Sequence, residues 1–161
     1  MEGSPSSWRH GEPFALKADA VSKQNVELHR RTYRALNARD ADALLALCDP
    51  QIEFQPLFAV VGDTVYHGHD GVRRWFETPE DAWAEDLRSE PDAFFDLGEY
   101  TLMFHTLRGR GKKSGAEVAM PAATVVKWRD GLIVSFMSYE RRESALRDLG
   151  VSEDALEPIA P

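Results

Sequence analysis

Apolar positions along the chain change period near its middle, dividing it into a helical first half and a stranded second half. Residues 1–21 mix Gly, Pro, Ser and isolated aromatics (Trp8, Phe14) without a sustained period, so they read as an extension outside the folded body. From Ser22, a residue suited to a helix N-cap, Val26, His29, Arg30, Tyr33, Leu36 and Asn37 recur at helical spacing and predict a helix to about residue 38. Asp40 is a second cap candidate, and Ala43, Leu44 and Leu47 predict a short helix stopped by Asp49 and Pro50. Alternation over residues 51–57, with Ile52 and Phe54, predicts a strand. A loop with Gly62 and Asp63 follows, and Gly68, Asp70 and Gly71 then offer a turn and a cap before a third helix carrying Val72, Trp75, Phe76 and Trp83.

Strand-like runs at 94–97, 100–108, 117–128 and 132–140 come next, separated by turns at 98–99, 109–115 and 129–131. Such short turns pair successive strands antiparallel, as a meander. Residues 141–150 predict a closing helix ending at Gly150, and the acidic, Pro-containing tail 151–161 is expected to fray. The organisation is therefore an extension (1–21), one α+β domain (22–150) and a tail (151–161). Helices first and strands afterwards imply helices covering one face of a single bent antiparallel sheet, with a pocket at its open end.

The 161 residues, 43% apolar with 10% aromatic, suffice for one core. Nineteen Lys and Arg against 27 Asp and Glu leave a net charge of −8, the wrong sign for a partner built on phosphate backbones or anionic lipid. The lone Cys48 forms no intrachain disulfide, and beside Leu44 and Leu47 it reads as a small buried hydrophobe. Residues 1–7 are polar, and no window approaches the roughly 18 apolar residues of a membrane span. A cytoplasmic protein without nucleic-acid or membrane partners is the expectation.

Several local signatures stand in a fixed order. They are Tyr33-Arg34-Ala35-Leu36-Asn37-Ala38-Arg39-Asp40, Asp49-Pro50-Gln51-Ile52-Glu53-Phe54, Tyr66-His67-Gly68-His69-Asp70-Gly71-Val72-Arg73-Arg74-Trp75-Phe76, Trp128-Arg129-Asp130-Gly131 and Arg142-Glu143-Ser144-Ala145-Leu146. Over residues 23–150 this order resembles the SnoaL-like branch of the nuclear transport factor 2-like superfamily, relatives of polyketide cyclases and ketosteroid isomerases. The resemblance implies a cone-shaped, strongly bent antiparallel sheet with helices on its concave face, a pocket for a small hydrophobic molecule, and a homodimer. The residues at the isomerase positions are Thr32 for the oxyanion phenol, Gln55 for the carboxylate base and Thr124 for the second oxyanion acid. None keeps the chemistry a dienolate needs, so isomerisation by that route is not implied.

Strand alternation offers substitutes. Phe136, Ser138 and Glu140 share one face of the last strand, Thr124 and Trp128 the corresponding face of the strand before it, and Glu53 and Gln55 are placed inward on the first strand, opposite Ile52 and Phe54. A carboxylate facing an apolar cavity gains a raised pKa and becomes a usable proton carrier, which makes Glu140 and Glu53 the candidate catalytic groups. Tyr33, Gln55, Trp75, Thr124, Phe136 and Ser138 are the candidate ligand contacts. His67 and His69 flank one glycine without a third ligand nearby, so no metal is expected, nor any cofactor. His29 on the first helix is a further titratable candidate, and His105, mid-strand beside Met103 and Leu107, reads as a hydrogen-bonded core or interface histidine. The outward residues Ser135, Met137, Tyr139, Ala123 and Val125 leave an apolar face that a second copy would cover. Two functions follow: a cofactor-free isomerase, cyclase or dehydratase using a pocket carboxylate, or a non-catalytic binding or dimerisation module. An epoxide-hydrolase-like activity would need an Asp-Arg-Asp relay, and no such trio falls on inward positions.

Overall fold

Two helices and a capped junction start the domain. Helix α1 (Ala20–Asn37) begins two residues ahead of Ser22 and buries Asn25, Val26, Leu28, His29, Thr32 and Ala35 along one stripe. Asp40 accepts a hydrogen bond from the Ala43 amide at 3.0 Å, capping the short α2 (Ala41–Leu45). The computed structural model describes residues 20–57, 65–77, 85–111 and 113–161. The extension as far as residue 19, the loop with Gly62 and Asp63, and Trp83 lie outside the described residues.

Strand β1 (Cys48–Gln55), β2 (Tyr66–His67), β3 (Glu85–Leu97), β4 (Tyr100–Arg110), β5 (Glu117–Arg129) and β6 (Leu132–Tyr139) form one sheet in the order β2-β1-β6-β5-β4-β3. The expected meander is present from β3 to β6, closed at Asp130 and Gly131, both with positive φ as a tight hairpin requires. The sheet is nevertheless mixed, because β1 joins β6 in parallel, with Phe54 opposite Phe136. Pairing between the first and last strands leaves no local trace in sequence, which is why an all-antiparallel sheet was the natural expectation. Helix α3 (Gly68–Phe76) follows β2 directly, and a Cβ at Gly71 would stand 3.1 Å from the Tyr66 backbone, so a larger residue there would press the helix and strand apart by a few tenths of an ångström.

The helices divide between the two faces. Leu28, Leu44 and Val72 from α1, α2 and α3 meet Ile52, Phe54, Val126, Ile133 and Phe136 on one face. On the other, Phe95, Leu102, Phe104, Val125 and Met137 are covered by Ala145 and Leu149 of α4 (Arg142–Leu149) and by Leu156 of the tail. Two expectations change here. The apolar face assigned to a second copy is closed within the chain: Ala123, Val125 and Met137 are buried by α4 and the tail. The tail is also docked rather than frayed. It wraps the free edge of β3, where Phe94 and Ile159 exchange backbone hydrogen bonds of 2.9 and 2.7 Å, and Arg30 donates to the Ala160 carbonyl at 2.9 Å.

Candidate functional site

Between α1, α3 and the sheet lies a cavity of about 100 Å³. A single water needs roughly 10–15 Å³ of such space, so this one has room for a small organic molecule. Its deep wall is made by His29, Thr32, Met103, His105, Thr124 and Phe136, all buried, and its open end by Asn37, Arg39, Leu57, Leu87 and Arg88. Neither Asp nor Glu occurs among the described lining residues.

Four polar side chains cross this wall in one hydrogen-bonded row, one from each strand of the meander. Ser89 Oγ on β3 lies 2.8 Å from His105 Nδ1 on β4, and His105 Nε2 lies 3.0 Å from Thr124 Oγ1 on β5. Thr124 Oγ1 in turn lies 3.1 Å from Ser138 Oγ on β6. Strand pairing builds the row, since Thr124 stands opposite both Met103 and Ser138 and His105 is the next residue on the same face of β4. Ser89 is brought into place by Asn37 at the end of α1, whose side-chain amide donates to the Ser89 carbonyl and accepts from its amide, both at 2.8 Å. A second pair lies deeper. His29 Nδ1 is 2.7 Å from Thr101 Oγ1, which also accepts from Trp128 Nε1 at 2.8 Å.

Both histidines are neutral near pH 7. Burial lowers His105 to about 4, helped by the Arg142 guanidinium and opposed by Asp92 and by a backbone hydrogen bond with Ala123. Burial lowers His29 to about 3, with His105 as the lesser cause. A neutral imidazole has one N–H and one lone pair, so the row around His105 has a direction: one hydroxyl neighbour donates to the ring and the other accepts from it. Exchanging tautomers reverses the row and changes whether Ser138 offers its hydrogen or its lone pairs to the cavity.

The sequence-derived candidates divide. Tyr33, Trp75, Thr124, Phe136 and Ser138 line the cavity. Glu53, Gln55 and Glu140 do not. The facing assigned to the first strand is inverted: the Phe54 ring lies 5.0 Å from that of Phe136 and meets Trp75 edge-on at 5.4 Å on the helix side, so Glu53 and Gln55 turn to the other face beside Ser135 and Met137. Burial of the apolar pair under the helices decides this. Glu140 follows the end of β6 and is exposed, because the chain leaves the sheet at Tyr139 to reach α4 on the opposite face. Arg142 pairs with Asp92 at 2.5 Å, not with Glu140. Thr32, at the position of the isomerase phenol, is turned back to the Leu28 carbonyl at 2.8 Å. Cys48 is buried, its thiol pushed up to about 12 chiefly by burial. His69 Nε2 lies 3.0 Å from the Cys48 carbonyl, and among the described residues no three His, Cys, Asp or Glu side chains are grouped to hold a metal ion. Nor is any helix among them long and apolar enough to cross a membrane.

Sequence reasoning missed Ser89, Asn37 and Arg39. Ser89 sits before Pro91, where a register shift between Pro91 and Ala93 breaks the alternation that would have revealed it.

The geometry agrees with solved structures of low sequence identity. A protein of unknown function from Burkholderia pseudomallei, described as nuclear transport factor 2-like, is 23% identical, with 78% of this chain and 97% of that one covered at a TM-score of 0.64. A hypothetical protein with a ketosteroid isomerase-like fold from Catenulispora acidiphila, in complex with trimethylamine, is 20% identical over 80% and 95% of the two chains, with a TM-score of 0.61. A putative SnoaL-like polyketide cyclase from Shewanella denitrificans is 16% identical over 82% and 98%, with a TM-score of 0.59. No curated protein matches in sequence. The profile of the SnoaL-like domain matches residues 29–136, from the buried histidine of α1 to the cavity phenylalanine of β6, and the chain belongs to that family.

Proposed function

We propose that the chain binds one small, largely apolar molecule in this cavity, oriented by the hydroxyls of Thr124 and Ser138. The observation that supports this is the row from Ser89 to Ser138, a paired polar network beside the apolar side chains of Leu36, Trp75, Met103 and Phe136. Such a network holds its hydroxyls in fixed positions, and its reversible direction suits a ligand presenting either a donor or an acceptor.

An acid-base enzyme is the second reading, favoured by the tautomer exchange at His105, which would move a proton along the row without creating charge. Binding stays ahead of it, because a histidine lowered to about 4 is a weak base at neutral pH and the two candidate carboxylates stand off the wall.

A thermal-shift panel of small ketones, quinones and aromatic acids tests the proposal, since a ligand bound only by the native state raises the melting temperature. The rise should vanish in Met103→Trp, which fills the cavity, and affinity should drop about tenfold in Thr124→Val with Ser138→Ala, as two hydrogen bonds are lost. An undiminished shift in Met103→Trp would place the ligand elsewhere. Turnover of a bound compound that His105→Asn abolishes without weakening binding would move the enzyme reading ahead.

A further inference from the structure

The open end of the cavity has an electrostatic character opposite to that of the whole chain. The molecule carries −8, yet the only formally charged groups among the described lining residues are Arg39 and Arg88. Arg88 pairs with Glu90 at 3.1 Å, but Glu90 is shared with Arg108 at 2.6 Å, so this group is one positive charge in excess. The acids near Arg39 are engaged elsewhere. Asp40 caps α2, and Asp42 lies 3.6 Å from Arg73. Among the described residues Arg39 has no ion pair.

The backbone of Arg39 is an independent observation. Its φ is 57°, in the left-handed region. It ends α1 in a paired turn, with the Arg39 amide bonded to the Leu36 carbonyl at 3.1 Å and the Asp40 amide to the Ala35 carbonyl at 3.0 Å. This is the helix-terminal position that glycine fills by default because any Cβ is strained there. An arginine at this position sets local strain against what its side chain does, and strain of this kind concentrates at functional sites.

We propose that the ligand of this cavity ends in an anionic oxygen group, a monocarboxylate, with Arg39 as its charge partner at the open end and Arg88 in support. The inference rests on the reading of the cavity as a ligand site. The apolar body of the molecule lies against Trp75, Leu36 and Phe136, its far end reaches Ser138 and Thr124, and its carboxylate stays at the wet rim, where it need not be fully desolvated.

The test compares three matched probes on the full chain, 4-phenylbutyrate, 4-phenylbutyramide and 4-phenylbutylamine, by calorimetric titration at low salt and about pH 7.5, where the acid is ionised and the amine protonated. The carboxylate should bind about five- to tenfold tighter than the amide and the amine weakest, with the preference shrinking as salt is added. Arg39→Gly should bring the carboxylate down to the affinity of the amide and leave the amide unchanged. Its own melting temperature should be unchanged or raised by up to about 2–4 °C, since glycine relieves the strain. Arg88→Gln should cost the carboxylate a smaller factor, and it keeps the test decisive should Arg39→Gly fail to fold. Equal affinity for carboxylate and amide overturns the anionic ligand and leaves the cavity reading intact. Tightest binding of the amine overturns it in favour of a cationic ligand. An unchanged carboxylate affinity in Arg39→Gly removes Arg39 from the site, and no binding of any probe overturns the inference together with the reading beneath it.

Discussion

His105 and His29 stand buried in the cavity wall, and their burial has a consequence for stability. Both are lowered from 6.5, to about 4 and about 3. Above pH 6.5 both are neutral in the folded and unfolded chain, and the contribution is fully present. As pH falls below that value, the unfolded chain takes up protons that the folded chain refuses until about 4 at His105 and about 3 at His29. Stability therefore decreases with acidification across this window, by up to about 1.4 kcal/mol per pH unit for each histidine. Urea melts of the wild type and of His105→Leu at a series of pH values from neutral to mildly acidic measure this. The variant should lose about half of the acid slope, and about 1–3 kcal/mol at neutral pH, where the Ser89 and Thr124 hydroxyls lose their shared partner. An identical slope in the two proteins would put the protons elsewhere.

At the scale of elements, what was legible depended on whether the decisive contact was local. The cap at Asp40, the glycine ending α4 at φ 71° and the Asp130-Gly131 hairpin are short-range features, and each is where the sequence points. The inward phase of Thr124, Phe136 and Ser138 could likewise be read from alternation, because β5 and β6 carry it without interruption where these residues pair. Ser89 could not, since the Pro91 irregularity resets the phase, and the left-handed φ of 57° at Arg39 leaves no signal in an arginine side chain. The tail failed for another reason: a short acidic segment with Pro158 has no periodicity of its own, and its order comes from an edge strand distant in sequence. Leu156 is buried under the second face of the sheet and Ile159 is bonded to Phe94. Leu156→Ala should then cost about 2–3 kcal/mol in urea unfolding, near the low end for a buried leucine, whereas the substitution in a frayed tail would cost nothing.

For the whole molecule, the question is whether one copy satisfies its own apolar surface. Alternation correctly separates two sets of residues on β5 and β6, but pairing data within a strand say nothing about what lies above each face. Placing every helix on one side left Met137, Val125 and Ala123 bare and required a second copy. Instead α4 crosses to that side, secured by Arg142, which donates to the carbonyls of His105 at 2.8 Å and Ala122 at 3.3 Å and stacks 4.9 Å from the Phe104 ring. Tyr139 donates to Asp148 at 3.0 Å and ties the helix to β6. Among the described residues Val118 is the one large hydrophobic side chain left exposed, and large exposed apolar side chains are what a stable interface is built on. Light scattering at micromolar concentration should accordingly return the monomer mass of 18.1 kDa. A dimer mass would show a surface other than this covered face at work, and Leu149→Asp separates the two cases. If α4 caps a monomer, that change unseats the helix and lowers the melting temperature with no change of mass in the folded fraction. Were the same face a dimer contact, the mass would fall first.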